Sequence, residues 1–285
     1  MNFLANLKNL LMTKIIYALL TVLAFASCAD SYVISGTSNV STLDGQKLSL
    51  KVLKNNEFKS LDSCDIVHGK FSFSGAVDSV CMGLIDLGQD NMPLPLVVEG
   101  GDINVKIDNA QMLVSGTPLN DKLFSFLSKY NQLENQKLEL VHRHDQGIMN
   151  GQDMDVVNRK LNAEAARISE QEDKLVTGFV TENFDNVLGP GVFFLITAGN
   201  DYPMLSPWIE DIMSKATDKF KNDPYVKDYY EKAQENEQIM NGMKDPVGAS
   251  PQLQAPADAH AAPEPQAPTP NELAKPAEPS NENQQ

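Results

Sequence analysis

The apolar residues of this chain change their period once, at Thr117-Pro118, and that change constrains how it can fold. Upstream, from Ser31 to Ser115, apolar and polar residues alternate in short runs. Tyr32-Val33-Ile34-Ser35-Gly36 opens the series, and Leu48-Ser49-Leu50-Lys51-Val52, Lys70-Phe71-Ser72-Phe73-Ser74 and Ile103-Asn104-Val105-Lys106-Ile107 keep strict alternation. A period of two puts every second side chain on one face, which is the pattern of strands buried on one side. Between the runs stand turn signals at Asp44-Gly45, Asn55-Asn56, His68-Gly69 and Glu99-Gly100-Gly101-Asp102, residues that accept positive φ or tight turns. Many short strands with regular turns predict an antiparallel β-sandwich or a partly open barrel. Pro93 and Pro95 belong on an edge strand or at a bulge, because proline cannot donate to a ladder.

Downstream the period becomes that of helices. Thr117 is placed to cap a helix whose first residue is Pro118. Leu119, Leu123, Phe126, Leu127, Tyr130, Leu133 and Leu138 then form one stripe, and Met154, Val157, Leu161, Ala165, Ile168, Leu175 and Phe179 form a second. A turn around Gly147 to Gly151 would fold the two into an antiparallel hairpin. Val192-Phe193-Phe194-Leu195-Ile196 is apolar on all sides and reads as the most buried helix. Ser206-Pro207 and Asp223-Pro224 repeat the cap-then-proline device before two further helices, the last ending near Met240. The fold class is therefore α+β.

Neither end of the chain belongs to that body. Residues 15 to 26 are almost unbrokenly apolar, preceded by Lys14 and followed by Ser27-Cys28. A membrane span needs ~20 apolar residues, whereas the apolar stretch of a secretion signal needs only about 7–15, so this reads as a signal peptide. Met12-Thr13-Lys14 would itself make a normal start. Residues 245 to 285 hold nine of the sixteen prolines and nine alanines, with no aromatic, Ile or Met. Apolar burial there cannot offset chain entropy, so the sequence predicts a disordered, Pro/Ala-rich tail. The resulting division is 1–27 signal peptide, 28–117 β domain, 118–244 helical domain and 245–285 tail.

Composition narrows function without naming it. With 23 Lys+Arg against 38 Asp+Glu, a formal charge of −15, nucleic acid is a poor partner. Loss of residues 1–27 removes Lys8 and Lys14 and leaves 21 basic and 38 acidic residues, a formal −17. Only Cys28, Cys64 and Cys81 are present, and no CxxC. Cys64 and Cys81 could pair in an oxidising compartment, but both sit in apparent strands, and two buried thiols are the favoured reading. His142-Arg143-His144-Asp145 has metal-ligand residue types, yet helical positions two apart face different ways and Arg143 repels a cation. A polar helix C-terminus accounts for it better. Trp208, Tyr225, Tyr229 and Tyr230 could stack on a sugar if exposed, although aromatics at helical spacing usually pack. No catalytic residue, cofactor site or metal site is expected, and the chain reads as non-enzymatic.

Two resemblances extend this. Phe25-Ala26-Ser27-Cys28 resembles the bacterial lipobox, with Phe25 where Leu is commonest. That implies cleavage before Cys28, diacylglycerol on its sulfur, palmitate-type acylation and anchorage to a membrane rather than passage through it. Next, Tyr32-Val33-Ile34-Ser35-Gly36, Asp62 leading to Val67-His68-Gly69-Lys70-Phe71-Ser72-Phe73-Ser74-Gly75, Val98-Glu99-Gly100-Gly101 and Val114-Ser115-Gly116-Thr117-Pro118-Leu119-Asn120 together resemble domain of unknown function 4369. This β domain stands at the N-terminus of thioredoxin-like and peroxiredoxin-like lipoproteins of Gram-negative anaerobes. The resemblance covers roughly residues 30 to 130, and the tail stands where those relatives carry a thioredoxin fold. It implies an envelope lipoprotein of the outer membrane, periplasmic or surface-facing, that binds a protein or ligand. Two alternatives accompany that expectation: docking of a separate thioredoxin-like partner, and glycan binding at the surface.

Overall fold

The computed structural model describes residues 30–54, 56–88 and 91–244; the signal segment, Cys28 and the 245–285 tail lie outside the described residues. Eight strands come first: β1 (Asp30–Ser38), β2 (Lys47–Lys54), β3 (Glu57–Asp65), β4 (Lys70–Val77), β5 (Cys81–Asp86), β6 (Leu94–Val98), β7 (Gly101–Ile107) and β8 (Met112–Ser115). They form two four-stranded sheets, ordered β4-β1-β7-β8 and β3-β2-β5-β6, and neither closes into a barrel. The alternation seen in the sequence becomes the burial pattern. Ile34, Phe73, Ile103 and Val105 of the first sheet and Leu48, Leu50, Ile85 and Leu96 of the second are buried in one core.

The turn residues do what their chemistry allows. His68 (φ 51°) and Gly69 (φ 68°) both take positive φ between Val67 and Lys70, whose backbones exchange hydrogen bonds of 2.9 and 3.1 Å. This is the two-residue turn whose twist matches that of the flanking strands. Along β1 and β4 two aromatics lie over bare backbone: Phe71 opposite Gly36 and Tyr32 opposite Gly75. A Cβ at Gly36 would sit 2.0 Å from the Phe71 ring, so glycine there is a packing requirement. Pro95 lies in β6, an edge strand.

One pairing departs from the antiparallel expectation. β1 and β7 run parallel, from Tyr32 opposite Gly101 to Ser38 opposite Ile107. Parallel and antiparallel strands share the same side-chain period, so alternation carries no information about direction.

Among the described residues six helices follow: α1 (Pro118–Met149), α2 (Met154–Glu182), α3 (Leu188–Thr197), α4 (Pro207–Lys215), α5 (Asp218–Lys221) and α6 (Pro224–Met240). Their proximal parts join the core of the sheets, through Leu123 and Phe126 of α1, Val176 and Val180 of α2, Val192 and Phe193 of α3, and Val226 of α6. Helix α1 continues past Gly147, which is buried beside the side chains of Met154 and Val157 of α2. The turn is the short Asn150–Asp153 segment, and Asp153 caps α2 by accepting from the Asp155 and Val156 amides. Leu138 is corrected by the structure: it is 59% exposed, and Leu140 takes the buried place. Seven residues from Leu133 return to the same face; five do not.

The distal part of the hairpin has its own small core of Leu140, Leu161 and Ile168, joined by Leu133, Val157 and Ala165. Arg143 spans the hairpin to Glu164 at 2.9 Å, and His144 faces Asp145 at 3.4 Å. The His142–Asp145 stretch lies within α1, short of its last turn, and only Arg143 in it pairs with α2. Among the described residues no helix is long and apolar enough to cross a membrane.

Candidate functional site

Helix α1 departs from the sheets through a buried polar knot. Thr117 occupies the N-cap position, but its hydroxyl accepts from the Asn120 amide at 2.8 Å and caps nothing. The cap comes from Glu99, twenty residues earlier, whose Oε1 accepts from the backbone amides of Leu119 (2.9 Å) and Asn120 (3.1 Å). A carboxylate there satisfies two orphan donors and complements the positive end of the helix dipole. The Asn120 side chain completes the free edge of β6: Oδ1 accepts from the Val97 amide at 2.9 Å, and Nδ2 donates to the Val97 carbonyl at 2.8 Å. One amide thus imitates a neighbouring strand. Gly116 leads into the knot with φ 101°, and a Cβ there would meet the Asp102 carbonyl at 2.5 Å. Glu99, Thr117 and Asn120 are all buried, so the knot is an internal joint that fixes the helical part against the β part.

A cleft lies elsewhere along the junction of the two parts. The tip of the β2–β3 hairpin contributes Leu53 and Asn56, the approach to β5 contributes Val80, Cys81 and Met82, and the starts of α3 and α6 contribute Pro190, Gly191, Asp223, Pro224 and Tyr225. The space is about 140 Å³. Asn56, at φ 62°, donates from its amide to the Pro224 carbonyl at 3.2 Å and ties the hairpin to α6. Gly191 is bare because Met82 lies across α3; a Cβ would come within 2.4 Å of it. Phe58 meets Phe194 edge-on at 5.7 Å, and Phe194 meets Tyr225 at 4.8 Å, so an aromatic row joins hairpin and helices.

Cys64 and Cys81, the two cysteines among the described residues, are free and half-buried. The register separates them. Cys64 lies opposite Leu48 at one end of β2, and the β2–β5 ladder carried two residues beyond Val52 and Gly83 sets Cys81 opposite Lys54 at the other. Six residues of strand are about 20 Å, against the roughly 7 Å between Cα atoms that a disulfide tolerates. Burial pushes both thiols above their ordinary value; at Cys64 a Ser72 backbone hydrogen bond opposes this and Asp62 and Asp65 add to it, while at Cys81 Lys54 opposes it. Cys81 therefore faces the cleft as a protonated thiol, a poor nucleophile at neutral pH.

Three of the four aromatics considered for sugar stacking gather around Phe193, and Tyr230 packs at the margin of the main core. Trp208, Tyr225 and Tyr229 contact its ring at 6.0, 6.3 and 5.3 Å, Tyr229 is buried, and Trp208, Tyr225 and Tyr230 are half-buried. The Tyr225 hydroxyl bonds Thr197 at 3.0 Å. Packing covers Tyr229 and leaves the other three rings half-buried.

The cleft was hidden from sequence reasoning because four separated segments build it, none with a motif. The one available signal was the left-handed-tolerant Asn56 at the hairpin tip. In the sequence Glu99 and Asn120 carry no sign of a role; their joint contacts supply it. No curated protein matches the chain. Residues 32–123, which run from β1 through β8 into the opening turns of α1 and include Glu99, Thr117 and Asn120, match the family model described as "Domain of unknown function (DUF4369)".

Proposed function

We propose that the chain is a non-enzymatic binding module held to the bacterial envelope by lipid on Cys28, and that it receives an apolar side chain of a protein partner in the cleft between its β and helical parts. The observation that carries the reading is the cleft itself. Its walls are mostly aliphatic and aromatic, with Asn56, Cys81 and Asp223 as polar members. Small-molecule and cofactor sites usually measure ≈300–1,000 Å³, so a space of about 140 Å³ suits one side chain better than a whole cofactor. The lipobox-like Phe25-Ala26-Ser27-Cys28 supports the anchor. A second reading, docking of a separate thioredoxin-like envelope protein, is supported by the DUF4369 match together with the resemblance of this region to the β domain of thioredoxin-like lipoproteins.

The test is cross-linking of the full chain in intact envelopes, followed by recovery from detergent-solubilised membranes. Cys28→Ala is expected to move the protein to the soluble fraction and to abolish labelling by a palmitate analogue; a variant that stays membrane-bound overturns the anchor. Leu53→Glu places a charge in the cleft wall and is expected to lose the cross-linked partner while the thermal midpoint changes little. Undiminished recovery overturns the cleft. A thioredoxin-like protein among the products establishes the second reading, and its absence under both reducing and oxidising conditions removes it.

A further inference from the structure

The α1–α2 hairpin holds two apolar cores with a charged layer between them. On the body side Phe126 and Phe179 meet at 4.5 Å and belong to the main core, together with Tyr130 and Leu175 at its margin. On the far side stand Leu140, Leu161 and Ile168, a cluster to which only α1 and α2 contribute. Between Ile168 and Leu175 no residue of α2 is apolar. That interval faces Glu134 and Lys137 of α1. Lys137 Nζ bonds Glu134 Oε1 at 2.8 Å and also bonds Glu172, whose side chain is only 13% exposed. The Tyr130 hydroxyl and the Glu134 carboxyl also lie beside the Glu172 carboxyl. Asp173 lies beside it, within the field of Lys137.

We infer that the distal half of the hairpin is a separately opening unit, closed at its base by Lys137 of α1 held between Glu134 of the same helix and Glu172 of α2. Two carboxylates in contact, one nearly buried, are tolerable only while a cation sits between them, so the layer holds or yields as one group. Apolar packing would transmit order continuously from body to tip, whereas across this layer α2 offers no apolar residue and α1 only the half-buried Leu133. Beyond it, three buried residues and the Arg143–Glu164 pair close the arm. Units with few buried contacts open at lower cost than the global fold. The electrostatics agree: the Lys137 contact, opposed by burial, holds the Glu134 carboxyl below its usual range, and burial followed by Glu172 pushes the Tyr130 phenol well above its own.

Native-state hydrogen exchange of the full chain, read peptide by peptide, tests this. Amides of residues 138–168 are expected to exchange through an opening that depends weakly on denaturant, ahead of β1, β2 and β5. Lys137→Met leaves the carboxylates facing each other and is expected to speed distal exchange about fivefold with the strands unchanged. The double variant Lys137→Leu with Glu172→Leu joins the two cores and is expected to slow distal exchange towards that of the strands. Distal amides that exchange at the rate and denaturant dependence of the strands overturn the separate unit. Equal effects of Lys137→Met on arm and strands, or an unaltered arm in the double variant, overturn the closure at Lys137.

Discussion

Asn120 shows how much structure one side chain can hold. Its amide meets Val97 through both oxygen and nitrogen, donates to Thr117, and lies 3.4 Å from Glu99, all with no exposure to solvent. Asn120→Leu keeps the volume but strands the Val97 amide and carbonyl in an apolar setting. Each abandoned buried group costs about 1–3 kcal/mol, so a loss of roughly 2–4 kcal/mol is expected in urea unfolding. Asn120→Asp is expected to cost at least as much, because Asp cannot donate to the Val97 carbonyl and brings a second carboxylate towards Glu99. A leucine variant within 0.5 kcal/mol of wild type would show that the edge of β6 needs no partner. In the sequence Asn120 reads as an ordinary polar residue in the first turn of a helix. Nothing local announces that it faces a strand edge twenty-three residues away, and the same holds for Glu99 as the distant cap.

Among the elements, α4 and α6, two of the three helices that begin with a capping residue and proline, look equivalent in the sequence and are not. Asp223 accepts from the amides of Tyr225 and Val226 at 3.0 and 3.2 Å, which caps α6. Ser206 stands at the same place before α4, yet it makes no cap bond, and its hydroxyl is buried without a partner among the described residues. Asp223→Ala is therefore expected to lower stability by about 1 kcal/mol, while Ser206→Ala is expected to be neutral or slightly stabilising. Calorimetry on the two variants separates them, and equal losses would refute the distinction. The contrast marks what is legible in the chain. Strand faces, the His68-Gly69 turn and the two long amphipathic helices follow from local period and turn chemistry. Helix α5 spans four residues and is too short to show a period. The parallel direction of β1 and β7, the choice of Leu140 over Leu138 and the cleft itself depend on which distant segments meet, and no local pattern encodes that.

At the scale of the whole molecule, the shifted groups bound the pH range of the fold from two sides. Asp86 is held below its ordinary 3.8 by the Lys51 hydrogen bond and the Gly88 amide, and Glu134 below its ordinary 4.5 by Lys137. A carboxyl lowered in the folded state contributes stability that is present above its unfolded value and is lost as pH falls through the folded one. Asp173 acts oppositely, since burial raises it, and offsets part of this contribution at neutral pH. On the alkaline side Cys64, Cys81, Tyr32 and Tyr225 are all raised, with burial the leading cause in each. These groups prefer to stay neutral in the fold. Their contribution is complete below the unfolded values of 9.0 for Cys and 10.0 for Tyr, and it declines as pH rises past them. The formal charge, already −15 at pH 7, becomes more negative over the same interval and adds self-repulsion. Thermal unfolding across pH is thus expected to give a plateau from about pH 5 to pH 8, an acid limb beginning near pH 4 and an alkaline limb beginning near pH 9. The alkaline limb is the more informative, because Cys64→Ala with Cys81→Ala should move its onset from the thiol range towards the phenol range. An onset unchanged in that double variant would show that the thiols ionise freely in the fold and are not held in the buried setting described for them.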